Sequence, residues 1–278
     1  MHKRQSKVEI IVIGNELLNG TTLDTNSHWI SKRVVKMGGL ITRKTTVGDD
    51  IEEISQVFRS AIGRSPDWIL SIGGLGPTFD DTTLEGLSRA IGKKIERNSE
   101  AVEMIRESRE RRILAGAKLS KKLLPSTLKM ADIPRGSIPL RNSVGTAPGV
   151  LTKVREKRII SLPGVPKEMK AIFEQEIGPT LSVELGGYKR MERWLSAIGV
   201  SESAIAPHIQ KLMNEFSPSV YIKSHPLGFR NGLSFLRFQL SATSSSREER
   251  KAHLALSKAA KRLATASKKL GASVRETR

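Results

Sequence analysis

The chain has 278 residues, 38% of them hydrophobic and 27% charged, with no cysteine and a formal net charge of +19. That length holds one large domain or two smaller ones with buried cores, and the balance is that of a globular rather than a disordered chain. Disulfides and thiolate metal sites are excluded, and no apolar run approaches the roughly 20 residues needed to cross a bilayer.

The N-terminal stretch 1–7 is basic, but the apolar run behind it, Val8 to Ile13, is too short for a secretory core and lacks a small-residue cleavage site. A cytoplasmic location without membrane contact is expected. Val8 to Ile13 reads as a buried strand of a parallel sheet, broken only by Glu9. A helix follows from about Asn26 to Met37, with Ile30, Val34 and Met37 on one face and Gly38-Gly39 ending it. Leu40 to Val47 reads as a second strand. A helix over Asp50 to Ile62 turns Ile51, Ile54, Phe58 and Ile62 inward, and Asp49 is assigned to its cap.

Trp68 to Ile72 is the third strand, and behind it stands Gly73-Gly74-Leu75-Gly76-Pro77-Thr78-Phe79-Asp80-Asp81-Thr82-Thr83. A helical pattern (Leu84, Leu87, Ala90, Ile91) comes next, closed by Gly92. A glycine-rich turn between strand and helix lets amides approach a phosphate, and the helix start adds partial positive charge. Two adjacent carboxylates would repel that anion unless a divalent cation lies between. The turn could also do no more than reverse the chain, and the Asp pair could be a helix cap.

Glu100 to Leu114 is polar and helical, with Glu/Arg pairs at supporting spacing such as Glu107 and Arg111. Gly149 to Val154 and Arg158 to Leu162 form a predicted hairpin, and Pro166 starts a helix running to about Ile177. These alternating units imply a doubly wound, mostly parallel α/β sheet over residues 1–178. After Gly186-Gly187 a smaller α+β pattern occupies 188–278. It comprises a strand to Ile198, a helix over Ser201 to Phe216, strands over Ser219 to Lys223 and Leu233 to Leu240, and a helix over Arg247 to Leu270. His225-Pro226-Leu227-Gly228 with Asn231-Gly232 is assigned to the turn between the two strands, and Ser244-Ser245-Ser246 to a link.

Residues 247–278 carry ten Lys or Arg against three Glu. The low aromatic content, 4%, argues against dedicated single-strand binding, so nucleic acid is not the expected partner. His28, His208, His225 and His253 are scattered and are assigned surface or core roles.

In a doubly wound sheet, several strand-end turns share one crevice. The turns Gly14 to Gly20 with Asp24-Thr25-Asn26, Asn142 to Gly149 and Leu162 to Pro166 join the Gly73–Asp81 turn as candidates for one pocket that holds a phosphorylated heterocycle. In order, Gly14 to Asn26, Ser71 to Thr82, Gly145 to Gly149 and Leu162 to Met169 resemble the patterns GxELLxGxxxDTN, SGGLGPTxDDxT, GTAPG and LPGVPxEM. These belong to the N-terminal part of the CinA family (competence/damage-inducible protein A). That part falls in the wider molybdopterin-binding superfamily with MogA, MoaB and the MoeA and gephyrin domains. The resemblance spans essentially the whole chain. Ile72 splits the usual Ser-Gly-Gly, and Thr83-Leu84-Glu85 stands where Thr-Arg-Glu is common.

The resemblance implies a three-layer MogA/MoaB-like domain followed by a small KH-like domain, a homodimer, and ADP-ribose or a related nucleotide as the substrate of a metal-dependent pyrophosphatase. Longer relatives carry a further amidohydrolase domain acting on nicotinamide mononucleotide. The sequence stops short of that domain, so deamidation is not expected. The KH-like region has no Gly-x-x-Gly clamp, which argues against nucleic-acid binding by that route. On this reading Asp80 and Asp81 are catalytic and hold Mg²⁺, Mn²⁺ or Co²⁺, with Glu85 one turn along as a third ligand. Amides of Gly73, Gly74, Gly76 and Thr78 would cradle phosphates, with Pro77 shaping their turn. Asn142 and Thr146 would donate to ribose or phosphate, and Glu16 and Asp24 suit sugar hydroxyls or a second metal shell. Gly14, Asn26, Gly145, Pro148, Pro163 and Gly164 complete the expected rim. The rival reading is molybdopterin binding or adenylyl transfer in the same crevice.

Overall fold

The computed structural model describes residues 4–118, 120 and 122–277. The chain divides into two compact units, 1–186 and 187–278.

The first unit opens with strand β1 (Lys7–Ile13), a single helical turn α1 (Asn15–Leu18), helix α2 (Thr25–Lys36), strand β2 (Leu40–Val47), helix α3 (Ile51–Gly63) and strand β3 (Trp68–Ile72). After the glycine turn come helix α4 (Thr83–Ile91), short strand β4 (Ile95–Arg97), helix α5 (Ser99–Leu114), helix α6 (Pro125–Lys129) and strands β5 (Asp132–Pro134) and β6 (Ile138–Leu140). The unit closes with strands β7 (Gly149–Val154) and β8 (Lys157–Leu162), helix α7 (Pro166–Ile172), a π-helical turn Phe173–Ile177, and helix α8 (Gly178–Leu185).

The six-stranded sheet runs β2-β1-β3-β8-β7-β6. β2, β1, β3 and β8 are mutually parallel, whereas β7 and β6 are antiparallel additions at one edge. The side chains of β1 alternate between two cores. Val8, Ile10 and Val12 pack with Ile30 and Val34 of α2 and with Met169, Phe173, Leu181 and Leu185. Ile11 and Ile13 pack on the opposite face with Ile54 and Phe58 of α3 and Leu87 of α4. Burial on both faces is why the central strands read as continuous apolar runs, and it makes the unit a three-layer α/β sandwich. Glu9, buried within β1, is accommodated because Arg64 donates to it through Nε (2.9 Å) and Nη2 (2.7 Å). A third small core joins Leu75, Leu84, Ala101, Ile105, Met130 and Ile133 and seats α5 beside the antiparallel pair β4–β5.

Three expectations for this unit change. Asp50, not Asp49, caps α3, accepting from the amides of Glu52 and Glu53. Glu107 pairs with Arg141 rather than with Arg111 one turn along. The first unit extends past residue 178, because Leu181 and Leu185 of α8 are buried in its core.

The second unit consists of strand β9 (Tyr188–Ile198), helix α9 (Glu202–Glu215), strands β10 (Tyr221–Arg230) and β11 (Leu233–Ser245), helix α10 (Glu249–Lys269) and strand β12 (Ser273–Thr277). Its antiparallel sheet runs β10-β11-β9-β12, and α9 and α10 contribute to one apolar core with Leu195, Leu236, Phe238 and Leu240. His225 to Arg230 extend the strand instead of turning. Pro226 is tolerated because β10 is an edge strand with an irregularity between Pro226 and Gly228, and only Asn231 (φ +50°) and Gly232 (φ +76°) reverse the chain. Ser244 and Ser245 belong to β11 rather than to a linker.

Candidate functional site

Because β1, β2, β3 and β8 are parallel, the turns that leave them emerge on one edge of the first unit's sheet. Together with α5 and α6 they enclose a cleft of about 620 Å³. Gly14, Glu16, Asp24 and Asn26 line it from the segment after β1, and Asp49 from the end of β2. Gly73, Gly74, Gly76, Pro77, Thr78, Asp80 and Asp81 come from the glycine turn, and Pro163 and Gly164 from the end of β8. Thr146 joins them from the segment before β7.

The turn after β3 is held by Thr82 and Thr83. Thr83, fully buried, donates its hydroxyl to the Gly73 carbonyl (2.8 Å) and its amide to the Gly74 carbonyl (3.2 Å). Thr82 donates its hydroxyl to the Asp49 carbonyl (2.9 Å), joining this turn to the end of β2. Gly74 sits at φ +65°, and a Cβ there would lie 2.2 Å from the Thr83 hydroxyl oxygen, so both backbone geometry and space demand glycine.

The amides divide into two groups. Gly73 donates to the Leu162 carbonyl (2.9 Å) and Thr78 to Asp81 Oδ2 (2.8 Å), so neither is free to cradle a phosphate as expected. The amides of Gly74 and Gly76 have no acceptor among the described residues and remain available. Asp80 Oδ1 and Asp81 Oδ2 both lie within hydrogen-bond reach of the single Thr78 hydroxyl, which can donate to either, so the two carboxylates converge on one point. The Thr78 hydroxyl bond holds the Asp80 carboxyl below its ordinary range, with help from Lys129. Lys129 also donates to the Thr78 carbonyl (2.7 Å).

Asp49 is the residue that sequence reasoning set aside. Its Oδ2 accepts the Asn15 amide (2.8 Å), and burial pushes its carboxyl above the ordinary range. The neighbouring charges of Glu16, Asp80 and Asp81 push it further the same way. Four carboxylates from three segments therefore share one wall of the cleft. The like charge they press on Asp49 is of the kind that a cation or a proton relieves.

Arg109 and Arg112 of α5 also line the cleft, and Arg112 Nη1 donates to the Thr146 hydroxyl (3.1 Å). Helical periodicity marks α5 as polar but does not say which arginines face a ligand; Arg109 and Arg112 are three apart and so share a face. Glu168, in the first turn of α7, is a further lining residue that the sequence reading did not single out.

Several expected residues lie outside the cleft or are already engaged by the fold. Asn142 is 5% exposed and fully engaged: its amide donates to the Ala147 carbonyl (2.8 Å) and Glu168 Oε2 (2.6 Å), while its oxygen accepts from Val144 and Gly145. It shapes the loop and has no donor left for a ribose. Gly145 lies against the Glu168 carboxyl, and Pro148 is buried; neither lines the cleft. Glu85 is not among the residues lining the main cleft; it lines a small adjoining cavity of about 60 Å³ together with Gly74, Gly76, Asp81, Lys129 and Asp132. Among the described residues no group of three or more His, Asp or Glu is arranged to hold a metal ion. Asp24 caps α2 through the Ser27 amide (2.8 Å), and Asn26 donates to the Gly164 carbonyl (2.7 Å), which ties the β1 and β8 turns together.

A family model described as "probable molybdopterin binding domain" matches residues 9–183, which spans the first unit's sheet and every turn of the cleft. The chain belongs to this family. A protein of Sulfolobus acidocaldarius is 41% identical over 241 residues, covering 87% of this chain and 88% of its own length. One from Aeropyrum pernix is 38% identical over 267 residues, covering 96% of each. Among solved structures, the protein CinA from Thermoplasma acidophilum matches with a TM-score of 0.56 at 38% identity, covering 65% of this chain and 99% of its own. The molybdopterin-binding-domain family thus accounts for the α/β unit and its cleft. Among the described residues no helix is long and apolar enough to cross a membrane.

Proposed function

We propose that the cleft hydrolyses a nucleotide pyrophosphate, with ADP-ribose or a close relative as substrate, in a reaction that depends on a divalent cation. The observation that carries this reading is the opposition of two chemistries in one cavity. Asp49, Asp80, Asp81 and Glu16 lie together, while the free amides of Gly74 and Gly76 and the guanidinium groups of Arg109 and Arg112 supply donors for phosphate oxygens.

Two carboxylates converging on one point fit a cation of the Mg²⁺ type, which is commonly held by one or two carboxylates and completed by substrate phosphates. Asp80 and Asp81 would hold it, and when bound it would neutralise diphosphate oxygens and lower the barrier to attack by water. The chain's own residues do the rest. Gly74 and Gly76 amides and Arg112 orient the diphosphate. Asp49, its affinity for a proton raised, is suited to take the proton from the attacking water. The water oxygen joins one phosphorus, and the bridging oxygen leaves with the other phosphate. ADP-ribose would give AMP and ribose 5-phosphate.

The family description supports a second reading, a pterin held in the same cleft. Incubation with ADP-ribose and Mg²⁺, Mn²⁺ or Co²⁺ separates the two. AMP formation that disappears in Asp81→Asn, with the fold intact by circular dichroism, supports hydrolysis. No AMP with any of the three metals, together with saturable molybdopterin binding, reverses the order.

A further inference from the structure

The second unit uses only one face of its sheet to build a core. Along β9, β11 and β10, Leu195, Ala197, Leu236, Phe238, Leu240 and Ile222 point toward α9 and α10. The strand register fixes what lies on the other face. Lys223, Gln239, Trp194 and Thr277 form one row across the four strands, and His225, Arg237, Ser196 and Arg275 form the next. Phe235 and Ile198 follow beside Gly228, and Tyr221 stands at the opposite end.

This face is neither apolar nor acidic. Arg237 lies 4.5 Å from the Trp194 ring centroid, Trp194 and His225 are 5.7 Å apart, and Arg230 lies 5.9 Å over Phe235. Tyr221 is 54% exposed. Among the described residues Lys223, Arg230, Arg237 and Arg275 have no carboxylate partner. The face's single acid, Glu192, is engaged by Arg190 (2.8 Å) and Gln239 (3.0 Å). His225 Nε2, Arg237 Nε and Thr277 Oγ1 are buried without a hydrogen-bond partner. The sequence from 187 onward holds seventeen Lys and Arg against six Glu and no Asp.

We propose that this sheet face binds single-stranded nucleic acid, stacking bases on Trp194, Tyr221 and the Arg237 guanidinium while Lys223 and Arg275 meet backbone phosphates. Rings and guanidinium planes interleaved on an open antiparallel sheet suit unpaired bases, whose faces are hidden in a duplex. The low aromatic content of the chain as a whole does not register this grouping of Trp194, Tyr221 and Phe235 on one sheet face. The site is independent of the cleft and does not rest on the hydrolase reading.

The test uses the full chain and a fluorescein-labelled oligonucleotide of about 12 residues, as single-stranded RNA, single-stranded DNA and duplex, at roughly 50 and 200 mM salt. Single strands are expected to bind at least about tenfold more tightly than duplex, to quench tryptophan emission, and to weaken with salt. Trp194→Ala and Arg237→Ala are each expected to weaken binding by about tenfold, and Trp194→Phe to keep affinity while losing the quench. Lys258→Ala with Lys261→Ala, on α10, should change affinity by less than about threefold. Equal affinity for duplex, or loss on α10 substitution but not at Trp194, would overturn the proposal. So would no binding at low salt, or a dimer that Trp194→Phe dissociates.

Discussion

Replacing Thr83 with valine removes one hydroxyl from a fully buried side chain while keeping its branched shape. The lost bond is the 2.8 Å donation to the Gly73 carbonyl, which pins the glycine turn to the start of α4. The carbonyl is buried, so the change leaves an acceptor without its partner, and such losses cost about 1–3 kcal/mol. For a unit of this size, each kcal/mol lowers the melting temperature by roughly 2–4 °C, giving an expected drop between about 2 and 12 °C. Thermal unfolding followed by circular dichroism, with Thr83→Ser as the control that keeps the hydroxyl, measures it. Serine should retain more stability than valine despite its lost methyl. A valine variant as stable as the parent, or a serine variant less stable than the valine one, would refute the assignment of the turn's shape to this bond.

Asp49→Asn tests the carboxylate wall. The folded-state pKa of Asp49 lies above its unfolded value, so its ionisation opposes folding above that folded pKa and has no effect below the unfolded one. The variant should therefore be more stable than the parent at neutral pH, with the difference vanishing near pH 4 in denaturant titrations. It should also bind Mn²⁺ more weakly; unchanged metal affinity would remove Asp49 from the cluster. Gly74→Ala should disrupt the turn and abolish nucleotide binding by calorimetry, because its Cβ would sit 2.2 Å from the Thr83 oxygen. Phe58→Ala, in the core beneath β1 and β3, should cost about 3–5 kcal/mol in urea unfolding without altering the cleft's ligand preference.

Much of the scaffold was readable from residue order. Apolar runs too continuous for a half-exposed sheet announced β1 and β3, and the β7–β8 hairpin follows from two short strands joined at Arg155 and Glu156. The glycine turn after β3 and the turns after β1 and β8 were identified as sharing one crevice because parallel strands put their C-terminal ends on one edge. The short pieces escaped. β4, β5 and β6 have three residues each, too few for any period to appear, and they exist because neighbouring elements complete their hydrogen bonds.

What tertiary structure alone decided is which polar groups remain free. Asp49 and Asp50 are adjacent and chemically alike, yet one spends its oxygens on the start of α3 and the other faces a cavity of like charges. Asn142 and Thr146 both suit a ligand on paper, but Asn142 is consumed by its own loop while Thr146 reaches the cleft. Arg109 and Arg112 could have been any exposed pair on a polar helix. Side-chain chemistry is local and is written in the sequence; whether a donor or a charge is already satisfied depends on partners brought from distant segments, and only the folded chain supplies those.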